Sequence, residues 1–408
     1  MKRGRYVKRI WPGNPTGQTR AERLPAPYEA YIPAPVAEYD PVVPAPLSQA
    51  LAEADTAIQE LNRVEPQQAV QVEALARQLL RQESLASSRI EGLSMSHKRI
   101  GEAAFDRNAT SDSEAVAVLA NIDAMHQAIE IGSGTESITE KTVCALHKTL
   151  MATTKPKIAG LVRTKQNWVG GNWDTPVGAE FVPPPHEDAG PLLADLAAFM
   201  NRTDLPPTLQ AALTHAQFET IHPFADGNGR IGRCLIHVVY RRRGVAVHQV
   251  PPVSLLMATD VDRYVKALTA YRRDNEGSWA SYFCHTVSAA AEAGETFAEQ
   301  LAELLRDWRE KAAVRSGSTA DKLIDLLPAQ PVLDVEVATQ LTDTSAEAAR
   351  VALNRLEERG VVVKTSSKVR GRVWEAKGLW NLLDRFEQRL ATPDGVANAT
   401  RPAPQTRG

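Results

Sequence analysis

The stretch "HPFADGNGRIGR", residues 222–233, brings one imidazole, one carboxylate, one amide, three glycines and two guanidiniums together in twelve positions. Two phosphate-loop motifs can be traced in it by letter, and both fail on context. Gly227, Gly229 and Gly232 satisfy G-x-G-x-x-G, but a dinucleotide fingerprint needs a strand before its glycines. The preceding "THAQFETI" has helical periodicity instead. A Walker loop needs Lys where Arg233 stands and Ser or Thr where Cys234 stands. An EF-hand counted from Asp226 needs Gly at Ile231 and Glu at His237. What remains is a glycine-rich loop between two helices, whose backbone N–H groups converge at a positive helix end as an anion nest. Asp226 offers a carboxylate to a hard cation and Asn228 an amide to phosphate oxygens. Arg230 and Arg233, three apart on one helical face, can fork onto phosphates. His222, at the junction, suits a general base near neutral pH. Together these groups point to attack on a nucleotide phosphate.

Composition bounds the setting. With 408 residues and 43% hydrophobic content the chain supports two or three globular domains. The formal charge of −2, from 47 basic and 49 acidic residues, leaves no global footprint for nucleic acid or membrane. Cys144, Cys234 and Cys284 lie far apart in apolar periodic stretches, which fits a reduced compartment. No apolar region of signal-peptide length follows the basic "MKRGRYVKRIW", and no run of about 18 apolar residues occurs. The expectation is a cytoplasmic protein without a membrane partner.

The organisation is mainly helical. Seven prolines in residues 25–46 predict an extended arm or linker. Apolar residues recur at helical spacing over 47–61 and 70–91, with Gly92 as a stop. Helices are also expected at 114–130, 138–152, 189–201, 208–221, 231–243 and 260–272, with a two-stranded hairpin at 166–185 between them. After an alanine- and glutamate-rich helix at 288–314, "RSGST" marks a polar boundary that few contacts should cross. Beyond it come helices at 320–327 and 335–341. A third, capped by a box of Thr344 and Glu347, ends at Gly360, and a hairpin spans 361–376. That is the order of a winged helix-turn-helix. The final "ATPDGVANATRPAPQTRG" lacks apolar periodicity and is expected to be disordered.

At this point the central stretch resembles the signature of the Fic family, H-P-F-x-D/E-G-N-G-R-x-x-R, at every position from His222 to Arg233. "KIAGLVRTKQNWVGG" resembles the family's G-x-x-R segment leading into a substrate flap. "RQESLASSRIEG" (81–92) resembles its inhibitory motif through Ser87, Glu91 and Gly92. The resemblance implies a Fic-type helical core with a small β-hairpin flap and a C-terminal winged helix-turn-helix. It divides the chain into a Pro-rich arm and N-terminal domain at 1–110 with the inhibitory helix at 70–92, and a catalytic core at 111–290. A linker helix at 291–318, the winged helix at 319–390 and a tail at 391–408 follow. It implies transfer of AMP from ATP to a Ser, Thr or Tyr hydroxyl of a target protein. His222 would be the base and Asp226 would hold Mg²⁺. Gly227, Asn228 and Gly229 would cradle the phosphates, and Arg230 and Arg233 would bind their β/γ end. Phe224 would anchor the loop inward. The flap at 166–185 would hold the target as an added strand. Where relatives carry N-R-x-x-Y-Y, this chain reads "DVDRYV" and keeps only Tyr264.

A glutamate at a helix C-terminus opposes the macrodipole by roughly 0.3–1 kcal/mol, so Glu91 asks for a cation, and Arg233 is the expected one. That pairing would remove the γ-phosphate ligand and act as a brake. Arg241, Arg242 and Arg243 read as a helix cap, and His215 as a packing or hydrogen-bonding residue. Trp168 and Trp173 are either target contacts or pins of the hairpin. From Arg359 to Lys377 six basic residues (Arg359, Lys364, Lys368, Arg370, Arg372, Lys377) face one acid, Glu375, as a DNA-touching wing would show. Yet "SAEAARVALNRLEERG" has alanines and glutamates where base-reading side chains belong. DNA binding, protein docking and homodimer formation stay open for this module, as do self-modification, a nucleotide-sensing regulator, transfer of another phosphate-containing group, and AMP removal.

Overall fold

The computed structural model describes residues 4–63, 69–107, 111–172, 174–365, 371–391 and 406–407. The helix leading into the central motif, α8 (Pro207–Ile221), is buried from Thr208 to Ile221 on every face. A helix buried all round belongs at the centre of a core, and its two glutamines are tied to neighbours: Gln210 donates to the Phe199 carbonyl at 2.9 Å and Gln217 to the Ala34 carbonyl at 2.9 Å. The motif's second half forms α9 (Asn228–Arg242). It packs on α8, on α5 (Ser113–Ser133) and on α3 (Ala69–Ile90).

Around this pair lie α2 (Ala45–Leu61), α4 (His97–Phe105), α6 (Glu140–Met151), α7 (His186–Met200), α10 (Val253–Thr259) and α11 (Val261–Arg272). The 37-residue α12 (Glu276–Ala312) runs along α2 and out of the core. Residues 291–312 of the expected linker helix at 291–318 are the far part of this one helix, which stops at a left-handed Ala313. Arg241, Arg242 and Arg243 stand at α9's end, and their side chains donate to carbonyls outside the helix, those of Ala246, Gly134 and Leu205, which tie it to neighbouring segments.

Strands are few. β1 (Arg5–Trp11) pairs antiparallel with β2 (Ala26–Ile32), with the single-turn α1 (Arg20–Arg23) between them, so part of the Pro-rich arm is a strand. The rest of the arm is tied down, since the backbone N–H of Val36 donates to Asp195 at 2.6 Å. The hairpin at 166–185 reduces to β3 (Trp168–Val169), bridged from Val169 to Phe181. On its other edge β3 pairs antiparallel with β7 (Thr406–Arg407), register Trp168 with Arg407 and Val169 with Thr406. That short strand lies where the sequence predicts no order; 392–405 and 408 are outside the described residues.

Past "RSGST" come α13 (Thr319–Leu326), β4 (Val332–Leu333), α14 (Val335–Thr342), α15 (Ala346–Glu358), β5 (Val362–Lys364), β6 (Trp374–Ala376) and α16 (Leu379–Ala391). The strand order is β4-β6-β5. The cap of α15 is Ser345, which accepts from the Ala348 N–H at 3.2 Å; the box of Thr344 and Glu347 does not form. The sparse-contact expectation at this boundary fails. Leu75, Leu79 and Ala86 of α3 share one apolar core with Trp308 of α12 and with Leu323, Leu353, Trp374 and Leu383.

Candidate functional site

Helix α8 ends because His222 adopts a left-handed conformation, φ 50°, and Pro223 follows. A non-glycine residue there carries roughly 1–3 kcal/mol of strain and persists only where its surroundings fix it. Arg163 does the fixing. Its Nε donates to the His222 carbonyl at 2.9 Å, its backbone N–H to the Pro223 carbonyl at 2.9 Å, and its Nη2 to the Pro184 carbonyl at 2.5 Å. The G-x-x-R arginine thus joins both flap ends to the start of the motif. The His222 Nδ1 lies 3.3 Å from the Glu219 carbonyl. With Nδ1 donating there, Nε2 is the basic nitrogen. Burial first, then Arg272 and Arg163, push the imidazole down to about 3, so the ring is neutral at pH 7.

The loop from Phe224 to Gly227 hangs on buried side chains. Phe224 is fully buried and stacks on His147 at 3.8 Å between ring centres. The His147 Nδ1 accepts from the Gly160 N–H at 3.0 Å, which leaves Nε2 to donate to the Asp226 carbonyl at 3.0 Å. Asn228 differs from expectation. Its amide is used within the loop, accepting from the Phe224 N–H at 2.9 Å and donating to the Phe224 carbonyl at 2.8 Å. Its side chain shapes the nest, and only its backbone, in the first turn of α9, is placed for an anion. Gly227, φ 79°, supplies the left-handed turn that opens α9.

The two arginines part company. Arg233 lines a cleft with His222, Gly229, Glu219, Tyr264, Leu268 and the flap residues Val169 and Phe181. Arg230 is directed to the Met151 sulfur, on the Asp226 side of the helix. Asp226 is engaged by the Lys155 ammonium and accepts from the Gly227 N–H at 2.6 Å. Burial alone would favour its acid form, but the hydrogen bond and charge of Lys155 hold it below the usual carboxylate range.

Glu91 stands one residue past the end of α3, with Gly92 at φ 86° behind it. Its Oε1 accepts from Arg233 Nη2 at 2.8 Å. Ser87 completes the hold, its hydroxyl accepting from Arg233 Nε at 2.9 Å and its carbonyl from Nη2 at 2.8 Å. A Cβ at Gly229 would collide with Glu91 Oε1, so this carboxylate rests against the first turn of α9, where an anion is favoured. Tyr264 walls the other end, its hydroxyl 2.8 Å from His215 Nε2. In the flap, Trp168 is 1% exposed and pins the hairpin against the Trp11 ring at 5.3 Å; Trp173 lies outside the described residues. His147, Lys155 and Glu219 were not singled out in the sequence, and Arg163 was read only as the arginine of the G-x-x-R segment, because their tasks arise from contacts between distant elements.

A helical core that opens a nest at α9, with a two-strand flap beside it, is a Fic-type fold. Residues 137–240 match the Fic/DOC family and residues 48–130 the Fic/DOC family N-terminal region. These two regions are what the chain shares with the Fic/DOC family. A protein adenylyltransferase, fic-1, of Caenorhabditis elegans is 31% identical over 129 residues, 32% of this chain and 23% of its own length. Protein adenylyltransferase Fic of Drosophila melanogaster is 33% identical over 121 residues, 29% of this chain and 22% of its own. The chain thus spans less than a quarter of these relatives. Among solved structures, a Fic family protein from Desulfovibrio desulfuricans G20 has a TM-score of 0.51 at 21% identity, covering 83% of this chain and 99% of that one. Fic-1 from C. elegans has a TM-score of 0.51 at 19% identity, covering 63% and 74%. Both likenesses are of fold.

Proposed function

We propose that this chain is a protein adenylyltransferase that moves AMP from ATP to a serine, threonine or tyrosine hydroxyl of a target protein, restrained by Glu91. The carrying observation is that His222, the first turn of α9 at Gly229, and Arg233 line one cleft. A base, an anion nest and a phosphate fork then act on the same ligand. The relatives named above carry the adenylyltransferase description, which supports the same reading. In the proposed step the target hydroxyl gives its proton to His222 Nε2 as its oxygen bonds to the α-phosphorus. The bond from that phosphorus to the bridging oxygen breaks, and pyrophosphate leaves. Gly227 and Gly229 let the backbone approach the phosphates, Arg233 takes the γ end, and Tyr264 bounds the nucleoside end.

Among the described residues no group of three or more His, Cys, Asp or Glu could hold a metal by itself. Mg²⁺ is commonly held by one or two carboxylates together with substrate phosphates, so Asp226 fits it as the protein ligand. Bound there, the ion would neutralise phosphate charge. Glu91 accounts for restraint: it occupies both Arg233 and the first turn of α9, the two places a γ-phosphate needs. The flap reading is supported by β7, since β3 accepts that extended backbone as an added strand on the edge away from Phe181. In the C-terminal module, Lys364 pairs with Glu357 at 2.8 Å and Glu375 with Lys98 at 3.0 Å. Charge neutralised inside the protein favours a protein-docking or dimer-forming winged helix over a DNA reader; Lys368 and Arg370 lie outside the described residues. Among the described residues no helix is long and apolar enough to cross a membrane, and the three cysteines are unpaired. Free thiols suit the cytoplasm.

The test is incubation of the Glu91→Gly variant with Mg²⁺ and ATP labelled at the α- or the γ-phosphate. Only the α label should appear on protein. A γ label on protein, or neither, overturns the reading.

A further inference from the structure

Glu219 lies one helical turn before His222 on α8, and its Oε2 is 3.7 Å from His222 Nδ1. Glu219 is 6% exposed and lines the same cleft as Arg233 and Gly229. Its second oxygen, Oε1, has no hydrogen-bond partner among the described residues. Burying a polar atom without a partner is costly, so such a group calls for an explanation. The packing makes room for it: a Cβ at position 232 would come within 2.7 Å of Oε1, so Gly232 on α9 is what admits the carboxyl.

Charged and titratable groups face Glu219 from each element packed on it. His215 and His222 share its helix, and Arg233 comes from α9. Arg272 of α11 donates to the Glu219 carbonyl at 3.1 Å, Tyr264 lies on the same helix, and Glu91 approaches from the end of α3. The His222 ring, by contrast, sits among cations. Burial, Arg272 and Arg163 work against its protonated form and outweigh the Glu219 carbonyl and the Asp226 charge, which favour it. A base in that setting takes a proton only if an anion offsets the charge that develops. The Glu219 carbonyl is a neutral acceptor and offsets little.

We infer that Glu219 is a positioning residue for His222: its backbone carbonyl accepts from Nδ1, and its carboxylate, 3.7 Å from Nδ1, stabilises by its charge the imidazolium formed when Nε2 takes the target's hydroxyl proton. This rests on the AMP-transfer reading above. Glu219 must be ionised to act and neither gains nor loses a proton in the step. Burial first, then Glu91, raise its titration to about 7, while Arg233 and Arg272 oppose. Its ionised share therefore grows with pH across neutrality, and the transfer rate should climb through the same range.

The experiment is steady-state AMP transfer by the full chain in the Glu91→Gly background, between about pH 5 and pH 8.5; burial, the largest cause of the upward shift, remains there, while loss of the Glu91 charge moves the limb below its position with Glu91 present. Glu219→Gln and Glu219→Asp are compared with that parent. Glutamine should lower kcat about 100-fold, the scale of losing a group that supports proton transfer, and leave the KM for ATP within about twofold. The ascending limb should vanish with Gln and persist with Asp, which keeps a carboxylate. A Gln variant that retains kcat within about threefold, or retains the limb, overturns the inference. Absence of AMP transfer in the Glu91→Gly parent would instead sink the underlying functional reading.

Discussion

Glu91 and Lys155 make the same argument from opposite signs. Each places its charge where a ligand of that sign would sit, the carboxylate on Arg233 and the ammonium on Asp226. Removing Glu91 should therefore help ATP, and removing Lys155 should help the metal. Glu91→Gly should raise AMP transfer at least about tenfold, a gain of some 1.4 kcal/mol in the transition state. Adding His222→Ala should abolish that gain while ATP affinity, read by calorimetry, stays within a few-fold. Transfer persisting within about tenfold of the parent would refute the base assignment. Lys155→Ala should lower the Mg²⁺ concentration for half-maximal rate about two- to fivefold, since Lys155 is over half exposed and the pair is weak. An unchanged Mg²⁺ titration would show that Lys155 does not compete. The gathering of His222, Gly229 and Arg233 at one cleft was legible in the sequence, because a complete twelve-residue motif fixes its own loop. It misplaced the Asn228 amide, since a loop that buries Phe224 uses that amide for its own carbonyl and N–H.

At the scale of elements, legibility followed locality. The helices α8 and α9 were visible because their residues encode them within one stretch. The β1–β2 pair was not: it is held by partners far along the chain, with the Tyr31 N–H donating to the Val182 carbonyl at 2.9 Å and Trp11 packed edge-on against Trp168. Nor were α4, α10 and α16 read, the first two because short amphipathic helices give little periodic signal. The consequence is that the arm braces the flap. Trp11→Ala should loosen it without touching the cleft, so modification of an added protein target should fall about three- to tenfold while ATP affinity is unchanged. Equal loss of ATP binding would place the effect in the cleft.

At the scale of the whole molecule, α3 is a helix with two customers. One face packs Leu80, Leu85 and Ile90 into the core around α8, and the other packs Leu75, Leu79 and Ala86 against the C-terminal module. The Ser/Gly boundary suggested independence because a linker's composition reports only on the linker. The contacts that matter lie 250 residues apart in sequence, as where Gln78 donates to the Pro328 carbonyl. Excision of residues 319–408 would strip one whole face of the helix that carries Glu91. A milder cut is available at Glu387 of α16, which meets Arg89 at 2.6 Å and His97 at 3.0 Å. Burial disfavours its charge, yet His97 and Arg89 hold it below the usual carboxylate range. Arg89 lies in the last turn of α3, two residues from Glu91, so this contact steadies the helix end that presents the proposed brake. Glu387→Ala should then raise AMP transfer about two- to fivefold, the equivalent of a partly buried pair worth under about 1 kcal/mol. Combined with Glu91→Gly it should add nothing, because both changes release one brake and coupled sites are not additive. A full additive gain in the double variant, or no gain in the single one, would mean that the C-terminal module does not bear on Glu91.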